Sequence, residues 1–370
     1  MAVRILTARA HRLFGPVAEE LGMRLQNAES SLLLVPEQLT LTAERELMKR
    51  LNVEGLFLID VMSPSRLCEH VLEAAGRDGR EPLNDAGRRM AVSQALERLE
   101  DKLPYYGSVA QRRGFVEKLS ALITDMQRGG LTPEMLADYA AALDMGVTRD
   151  KLKDLAQIYA QYRAVLAGRF SDSEDQLAYV AGRLEHSGFL RGKHLYVYGF
   201  DTLPEQLMRL LCAAAPLCES LTIGLICDGE AAADGELYTP IRQGVARFGD
   251  MLAQAGQTVE ICALPPEALA HAPAIAYLDG ALFASGAEPF LGKAEGVYLS
   301  SGLSPFEEAA LMTREVQWLA QNGVELEKIA VLYPEGGGYE FAVTALRTAA
   351  FPFIRTGRCP RFRTGWRAFC

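Results

Sequence analysis

In α/β proteins, chemistry concentrates where a strand hands the chain to a helix, so we begin with those junctions in this 370-residue sequence. After the first apolar run, Val3 to Thr7, the sequence reads Thr7-Ala-Arg-Ala-His-Arg-Leu-Phe-Gly15. A phosphate-binding loop at this place would need G-x-x-x-x-G-K-[ST], because clustered backbone N–H groups and a lysine must surround the phosphates. The first glycine and the lysine are missing, so Thr7 to Gly15 is a degenerate P-loop, and neither a catalytic residue nor a cofactor contact is expected there. Gly192-Lys193 and Gly292-Lys293 lack the preceding glycine and the following Ser or Thr, and read as turns with a solvated amine.

The second apolar run leads into Val35-Pro-Glu-Gln-Leu-Thr40, which puts Gln38 and Thr40 where a ligand at a strand end would be touched. Capping of the following helix explains the same two residues equally well. A third junction, Ser63-Pro-Ser-Arg66, offers hydroxyls, helix N-terminal amides and the Arg66 guanidinium, a set suited to phosphate, although Arg66 could instead be a surface ion pair. A fourth, Leu195-Tyr-Val-Tyr-Gly-Phe-Asp201, has the form of a strand delivering Mg²⁺-binding acids, but Tyr198 and Gly199 occupy the acid positions.

Other candidates read as structural. The seven cysteines contain no C-x-x-C and the five histidines no i, i+4 pair, so buried thiols and ordinary imidazoles are expected, with no metal. Asp172-Ser-Glu-Asp175 reads as an acidic helix start favoured by the macrodipole. No Gly-x-Ser-x-Gly elbow is present.

These junctions need a parallel sheet to hold them. Strand-like runs at Val3–Thr7, Ser31–Val35 and Leu56–Val61 alternate with a helical pattern through Leu13, Val17, Leu21 and Leu25. Long helices then follow: Ser65–Ala75, Asp85–Leu99, Gln111–Arg128, Thr132–Leu143, with Thr132 as N-cap before a proline, and Asp150–Leu166. Sheet character returns at Lys193–Phe200 and Ser220–Cys227, around a helix at Pro204–Ala215, and a further helix falls near Ile241–Gly256. The domain expectation is a discontinuous α/β domain over 1–62 and 190–265, a helical insertion over 63–189 and a linker over 266–296. A second α/β unit starts at 297–353, with strands at Val297–Ser300 and Ile329–Tyr333 and helices at Pro305–Asn322 and Tyr339–Ala349. Residues 354–370 carry five arginines, no lysine and no acid, which is open to reading as a basic nucleic-acid arm, but the abrupt shift within an expected α/β unit favours an aberrant, frameshifted tail on a truncated chain.

Composition fits a soluble globular protein: 49% apolar, 23% charged. The net charge of −9 argues against a broad basic surface for nonspecific duplex binding and leaves room for a local groove. The N-terminus lacks an export signal, and the apolar runs fall short of the roughly 20 residues that cross a bilayer, so a cytoplasmic protein without a membrane role is expected.

Taken in order, Val35-Pro-Glu-Gln-Leu-Thr, Ser63-Pro-Ser-Arg-Leu, Asp85-Ala-Gly-Arg-Arg-Met, Gly114-Phe-Val-Glu-Lys-Leu, Asp172-Ser-Glu-Asp and Tyr198-Gly-Phe-Asp resemble the AddB family, itself similar to superfamily 1 helicases. The likeness covers Val3 to Phe353 and rests on order and spacing. It implies a RecA-like P-loop-NTPase-type sheet with a helical insertion and the start of a second helicase domain. It also implies a heterodimer with an AddA-type motor that uses ATP, acting on DNA ends in recombinational repair of double-strand breaks. The helicase-like region in that family reads the Chi sequence in single-stranded DNA, and Gln38, Thr40 and Arg66 match positions associated with that reading. Pro64 and Glu69 depart from it, standing where the family often places aromatic residues able to stack on bases. The family's Mg²⁺-dependent nuclease and its 4Fe-4S cluster belong to a C-terminal half without counterpart here, so neither ATPase nor nuclease activity is expected of this chain alone. The alternatives are an active helicase-type ATPase with a divergent loop and a purely structural scaffold subunit. A Rossmann-type enzyme would need a G-x-G-x-x-G after the first strand.

Overall fold

The structure is a computed structural model describing residues 2–76, 79–99, 102–110, 112–171, 173–227, 237–264, 272–282, 284, 286–334, 340–349, 351, 355–358 and 366–369. Two compact units partition the chain: Met1–Glu230 with Tyr238–Pro266, and Ala231–Leu237 with Glu267–Cys370.

The first unit opens with β1 (Ala2–Ala8), α1 (Ala10–Gln26), β2 (Ser30–Leu34), α2 (Thr40–Leu51), β3 (Ile59–Met62) and α3 (Pro64–Ala75). A short strand β4 (Glu81–Pro82) leads into the helices α4 (Asp85–Glu97), α5 (Arg113–Arg128), α6 (Pro133–Ala142) and α7 (Val147–Leu166). After β5 (Phe170–Ser171), α8 (Ser173–Ala181) and α9 (Leu184–Ser187), the sheet resumes with β6 (Lys193–Val197), α10 (Glu205–Ala214), β7 (Ser220–Ile226), α11 (Thr239–Gln254) and β8 (Thr258–Ala263).

Six strands form one sheet in the order β3-β2-β6-β7-β1-β8, every pairing parallel. Parallel strands need crossovers that cover the sheet on both sides, and the alternation of side chains divides the strand residues between two cores. Val3, Ile5, Leu32, Leu34, Leu195, Val197, Leu221 and Ile223 face one way, against α3, α8, α9, α10 and α11. Leu6, Leu33, Val35 and Tyr196 face the other, against Leu13, Val17 and Leu21 of α1 and Leu47 of α2. Each such aliphatic side chain contributes roughly 1.5–3 kcal/mol of burial, which makes this sheet the rigid platform for its own loops. The RecA-like α/β expectation holds.

Strand β8 is absent from the sequence-based expectation. It is an edge strand with no fully buried side chain, and its Val259/Ile261 alternation is short and follows a long Ala- and Gly-rich stretch. Between β3 and β6, α4, α5, α6 and α7 build a separate core around Val92, Leu96, Leu119, Ile123, Ile158, Tyr159 and Tyr162. α3, α8 and α9 instead lie on the sheet, so the helices with a core of their own run from Asp85 to Leu166. β4 and β5 pair in parallel at the two ends of this excursion. Thr132 caps α6, its hydroxyl accepting from the Met135 N–H at 3.3 Å.

Beneath α1, the amino-terminal edge of the sheet is polar. Arg24 pairs with Glu29 at 2.7 Å, Glu29 lies 3.3 Å from His194 Nε2, and His194 Nδ1 meets Ser220 Oγ at 2.7 Å. Lys193, expected to be solvated, pairs with Asp60 at 2.7 Å. Burial of His194 and the nearby Arg24 charge hold its pKa below the ordinary histidine value, against the opposing pull of Glu29 and Glu219. The folded state therefore favours the neutral imidazole, while the unfolded chain binds a proton more readily. Stability falls as pH drops through the ordinary histidine range of about 6.5 and stops falling on this account below the folded-state value. A series of urea midpoints from pH 7.5 to 5.5 is expected to show a steeper decline for the parent than for His194→Gln. Equal slopes would remove His194 from the account.

The second unit contains α12 (Pro273–Ala281), α13 (Pro305–Gln321), β9 (Val331–Pro334), α14 (Glu340–Thr348), β10 (Arg355–Arg358) and β11 (Trp366–Phe369). The last two strands join β9 in an antiparallel sheet of order β10-β11-β9, and the other residues of the arginine-rich segment 354–370 lie outside the described residues. Within the expected linker the chain makes α12, and residues 286–296 fold back on it: the Tyr277 hydroxyl donates to the Glu288 carbonyl and its ring meets Phe290 at 5.2 Å. The strand expected at Val297–Ser300 is not formed. Its residues are β-prone but have no ladder partner, and Leu299 is 99% exposed. Among the described residues no helix is long and apolar enough to cross a membrane.

Candidate nucleic-acid interface

Because β3, β2, β6, β7 and β1 are all parallel, their carboxyl ends share one edge of the sheet, the edge at which open α/β sheets bind ligands. The chain leaves β2 through Val35 and Pro36 into a single 3₁₀ turn, Glu37–Leu39, and enters α2 at Thr40. It leaves β3 through Ser63 directly into α3, with Pro64 at the first helical position.

A hydrogen bond joins these two turns: Ser63 Oγ donates to Glu37 Oε1 at 3.1 Å. Ser63 also caps α3, its hydroxyl accepting from the Arg66 N–H at 3.4 Å. Thr40 Oγ1 donates to the Glu37 carbonyl at 2.8 Å, so its hydroxyl proton serves the turn. Gln38 and Arg66 are exposed, and no other described residue engages either side chain. The three residues singled out in the sequence thus sit on two neighbouring turns tied by Glu37. Pro64 and Glu69, the departures from the family pattern, begin α3 and lie exposed one turn along it, respectively.

The turn after β6 closes the same side of the sheet. Tyr198 donates its backbone N–H to the Leu34 carbonyl at 2.9 Å and packs its ring against Phe14 at 5.1 Å. Gly199 follows at φ +83°, and a Cβ there would lie 2.7 Å from Leu39 Cδ1 and 3.4 Å from Pro36 Cδ. Sequence reading missed the roles of both Glu37 and Gly199. The glycine after an apolar strand was the available signal, whereas nothing in the sequence ties Glu37 to a serine 26 positions away.

At β1 the connection is a single residue, Arg9, in extended backbone without a side-chain cap, and α1 begins at Ala10. Thr7 to Gly15 is therefore the end of a strand and the first turns of a helix, leaving no loop whose amides could encircle a phosphate. Among the described residues, no three His, Cys, Asp or Glu side chains converge on a metal position. Cys68, Cys218 and Cys227 are buried, and burial raises the Cys212 and Cys218 thiols to about 11, so they pack as small hydrophobes. These residues fit neither a Mg²⁺ site nor a cysteine-ligated cluster. The side chains of Asp172 to Asp175 lie outside the described residues.

A six-stranded parallel sheet interrupted between β3 and β6 by a helical core, with its polar turns gathered at the carboxyl edge, is the architecture of a RecA-like α/β protein. The chain belongs to the AddB family: the family model described as "ADDB, N-terminal" matches residues 10–279. Similar relatives include the AddB protein of the ATP-dependent helicase/deoxyribonuclease of Moorella thermoacetica, 29% identical over 343 residues, which cover 89% of this chain and 30% of the relative. The same-named protein of Pelotomaculum thermopropionicum is 30% identical over 329 residues, 85% of this chain and 28% of the relative. That of Alkaliphilus metalliredigens is 31% identical over 227 residues, 60% and 20% respectively. The chain thus spans 30% or less of the length of these relatives.

Proposed function

We propose that this chain is the DNA-guiding, helicase-like part of the AddB component of a helicase-nuclease that repairs double-strand breaks by recombination. It binds single-stranded DNA across the turns after β2 and β3 and works in the cytoplasm beside an AddA-type motor subunit that hydrolyses ATP. The observation that carries this reading is the Glu37–Ser63 link. It holds an exposed amide and an exposed guanidinium on adjacent turns of a rigid edge, where they meet the bases and phosphates of a passing strand. The one-residue connection from β1 to α1 supports the absence of ATP turnover by this chain.

Single-stranded DNA binding, followed by fluorescence anisotropy at several salt concentrations, tests the reading. The parent is expected to bind with a marked salt dependence. The Gln38→Ala, Arg66→Ala double variant is expected to lose about tenfold in affinity, with the salt slope reduced by about one for the lost phosphate contact. No binding by the parent at low salt, with the motor subunit present, would overturn the reading and favour a scaffold role. Magnesium-dependent ATP hydrolysis abolished by changes within Thr7 to Gly15 would favour an active motor instead.

A further inference from the structure

A buried carboxylate lies where the helical core meets the sheet. Glu205, the first residue of α10, is 7% exposed. Its Oε1 accepts from Arg209 Nε at 3.1 Å, and its Oε2 lies 2.6 Å from Nη2 of Arg247 on α11, an ion pair without hydrogen-bond geometry. The corner between α5 and α6 rests on the same side chain: Gly130 sits there at φ +70°, and a Cβ on it would lie 2.7 Å from Glu205 Cγ. Beside it, Gln206 Nε2 reaches the Gln127 carbonyl at 3.5 Å, and α5 also touches α8. Because α10 starts where the turn after β6 ends, this seat lies at the carboxyl edge of the sheet, the edge that carries Gln38 and Arg66.

The covalent attachment of the core is slender. The chain enters it past β4 and leaves it through β5, two-residue strands that pair with each other. Gly76 and Gly79 flank the entry and Gly168 the exit, all at φ between +76° and +86° with nothing within 4 Å of a Cβ. Glycine adopts that backbone without steric cost, so these passages can turn. The four helices α4 to α7 keep a hydrophobic core of their own, and turning at this stalk carries them as one body.

We infer that the helical core is a lid, hinged at the β4–β5 stalk and latched by Glu205 against Gly130, that closes over the carboxyl edge and retains the DNA strand there. The lid role rests on the single-strand reading above, whereas the hinge and the latch do not. Both arginines that grip Glu205 belong to helices on the sheet, so the ion pairs shape the seat without bonding it to the core. What crosses the seat is a close steric fit and one long hydrogen bond. A polar contact of that size releases far more readily than a shared apolar interface. Strand and closed lid occupy one edge, and by linkage each stabilises the other.

Hydrogen exchange on the full chain, read by mass spectrometry with and without a short oligothymidylate, tests the device. Glu205→Gln keeps the shape of the side chain and removes its charge, and Gly130→Ala pushes on the seat from the core's side. Each is expected to speed exchange at least about tenfold in the corner 127–131 and in the stalk, 79–82 and 168–171. Exchange inside the core, at 155–162, and inside the sheet, at 221–226, stays at the parent's rate. Oligothymidylate slows exchange at the parent's corner and stalk, and both variants bind it about fivefold more weakly. Faster exchange spread evenly over core, sheet and corner, or none at the corner, would overturn the latch. A corner released without loss of affinity, in a chain that binds the probe, would overturn the lid role. If the parent binds no DNA, the single-strand reading fails, and the exchange pattern of the two variants alone decides the hinge and latch.

Discussion

Replacing Asp154 by alanine is expected to cost the helical core about 2–4 kcal/mol, seen as a lowered urea midpoint by circular dichroism. Asp154 lies on α7 and is 1% exposed. Its Oδ2 accepts the backbone N–H groups of Tyr105 and Tyr106 at 2.9 and 2.8 Å, fixing the turn that brings the chain from α4 toward α5. Alanine leaves both donors without their acceptor. Each donor left unsatisfied costs up to about 1–3 kcal/mol, less where the partly exposed Tyr105 and Tyr106 let water substitute, and the carboxylate's own desolvation, relieved by the substitution, offsets part of the loss. Oδ1 is buried without a hydrogen-bond partner, so Asp154→Asn can keep its oxygen on the two amides and should lose less than alanine. An alanine variant within about 0.5 kcal/mol of the parent, the range of a neutral surface change, would show that something else holds the turn.

That carboxylate marks the limit of what the sequence discloses. The central strands β1, β2, β6 and β7 are visible as apolar runs because both faces of a parallel sheet are buried, so nearly every side chain must be apolar. The helices of the insertion are visible because they keep a 3.6-residue period and start with recognisable caps such as Thr132-Pro133. An aspartate in such a pattern reads as a solvent-facing residue, and only the fold shows that Asp154 points inward to serve amides 48 and 49 residues away. Val297–Ser300 errs the other way. Its residues have strand propensity, but a strand exists only with a neighbour to pair with, and that neighbour is not encoded locally.

The site shows the same division. That the junctions after β2 and β3 carry polar side chains is local information, and Gln38, Thr40 and Arg66 could be singled out from it. Their relation to one another is not local. It depends on β2 and β3 being adjacent in the sheet, on the Glu37–Ser63 bond, and on the turn after β6 pressing against Leu39. Thr40 shows why the sequence leaves a capping and a ligand role both open: its hydroxyl proton is committed to the Glu37 carbonyl, while its oxygen retains acceptor capacity.

The close approach at Gly199 carries the second large expectation, about 3 kcal/mol for Gly199→Val. Two costs combine. At φ +83° a β-branched residue is strained whatever the space, by about 1–3 kcal/mol. The new Cβ would also stand 2.7 Å from Leu39 Cδ1, which forces either the Pro36–Thr40 turn or the β6 turn to move. The two parts separate in a double-mutant cycle. In a Leu39→Ala background the shortest steric contact disappears while the backbone part and the Pro36 contact remain, so the same valine should cost about 1 kcal/mol less there. Equal costs in both backgrounds would mean that the Leu39 contact contributes nothing. If Gln38 and Thr40 read DNA as proposed, Gly199→Val should also weaken single-stranded DNA binding under conditions where the variant remains folded, and Leu39→Ala should restore part of it. Those two residues lie far along the chain from Gly199, and they flank Leu39 on the turn that meets it. A loss of affinity that tracks the steric term, and not the loss of stability, would therefore tie DNA binding to the geometry of the turn after β2.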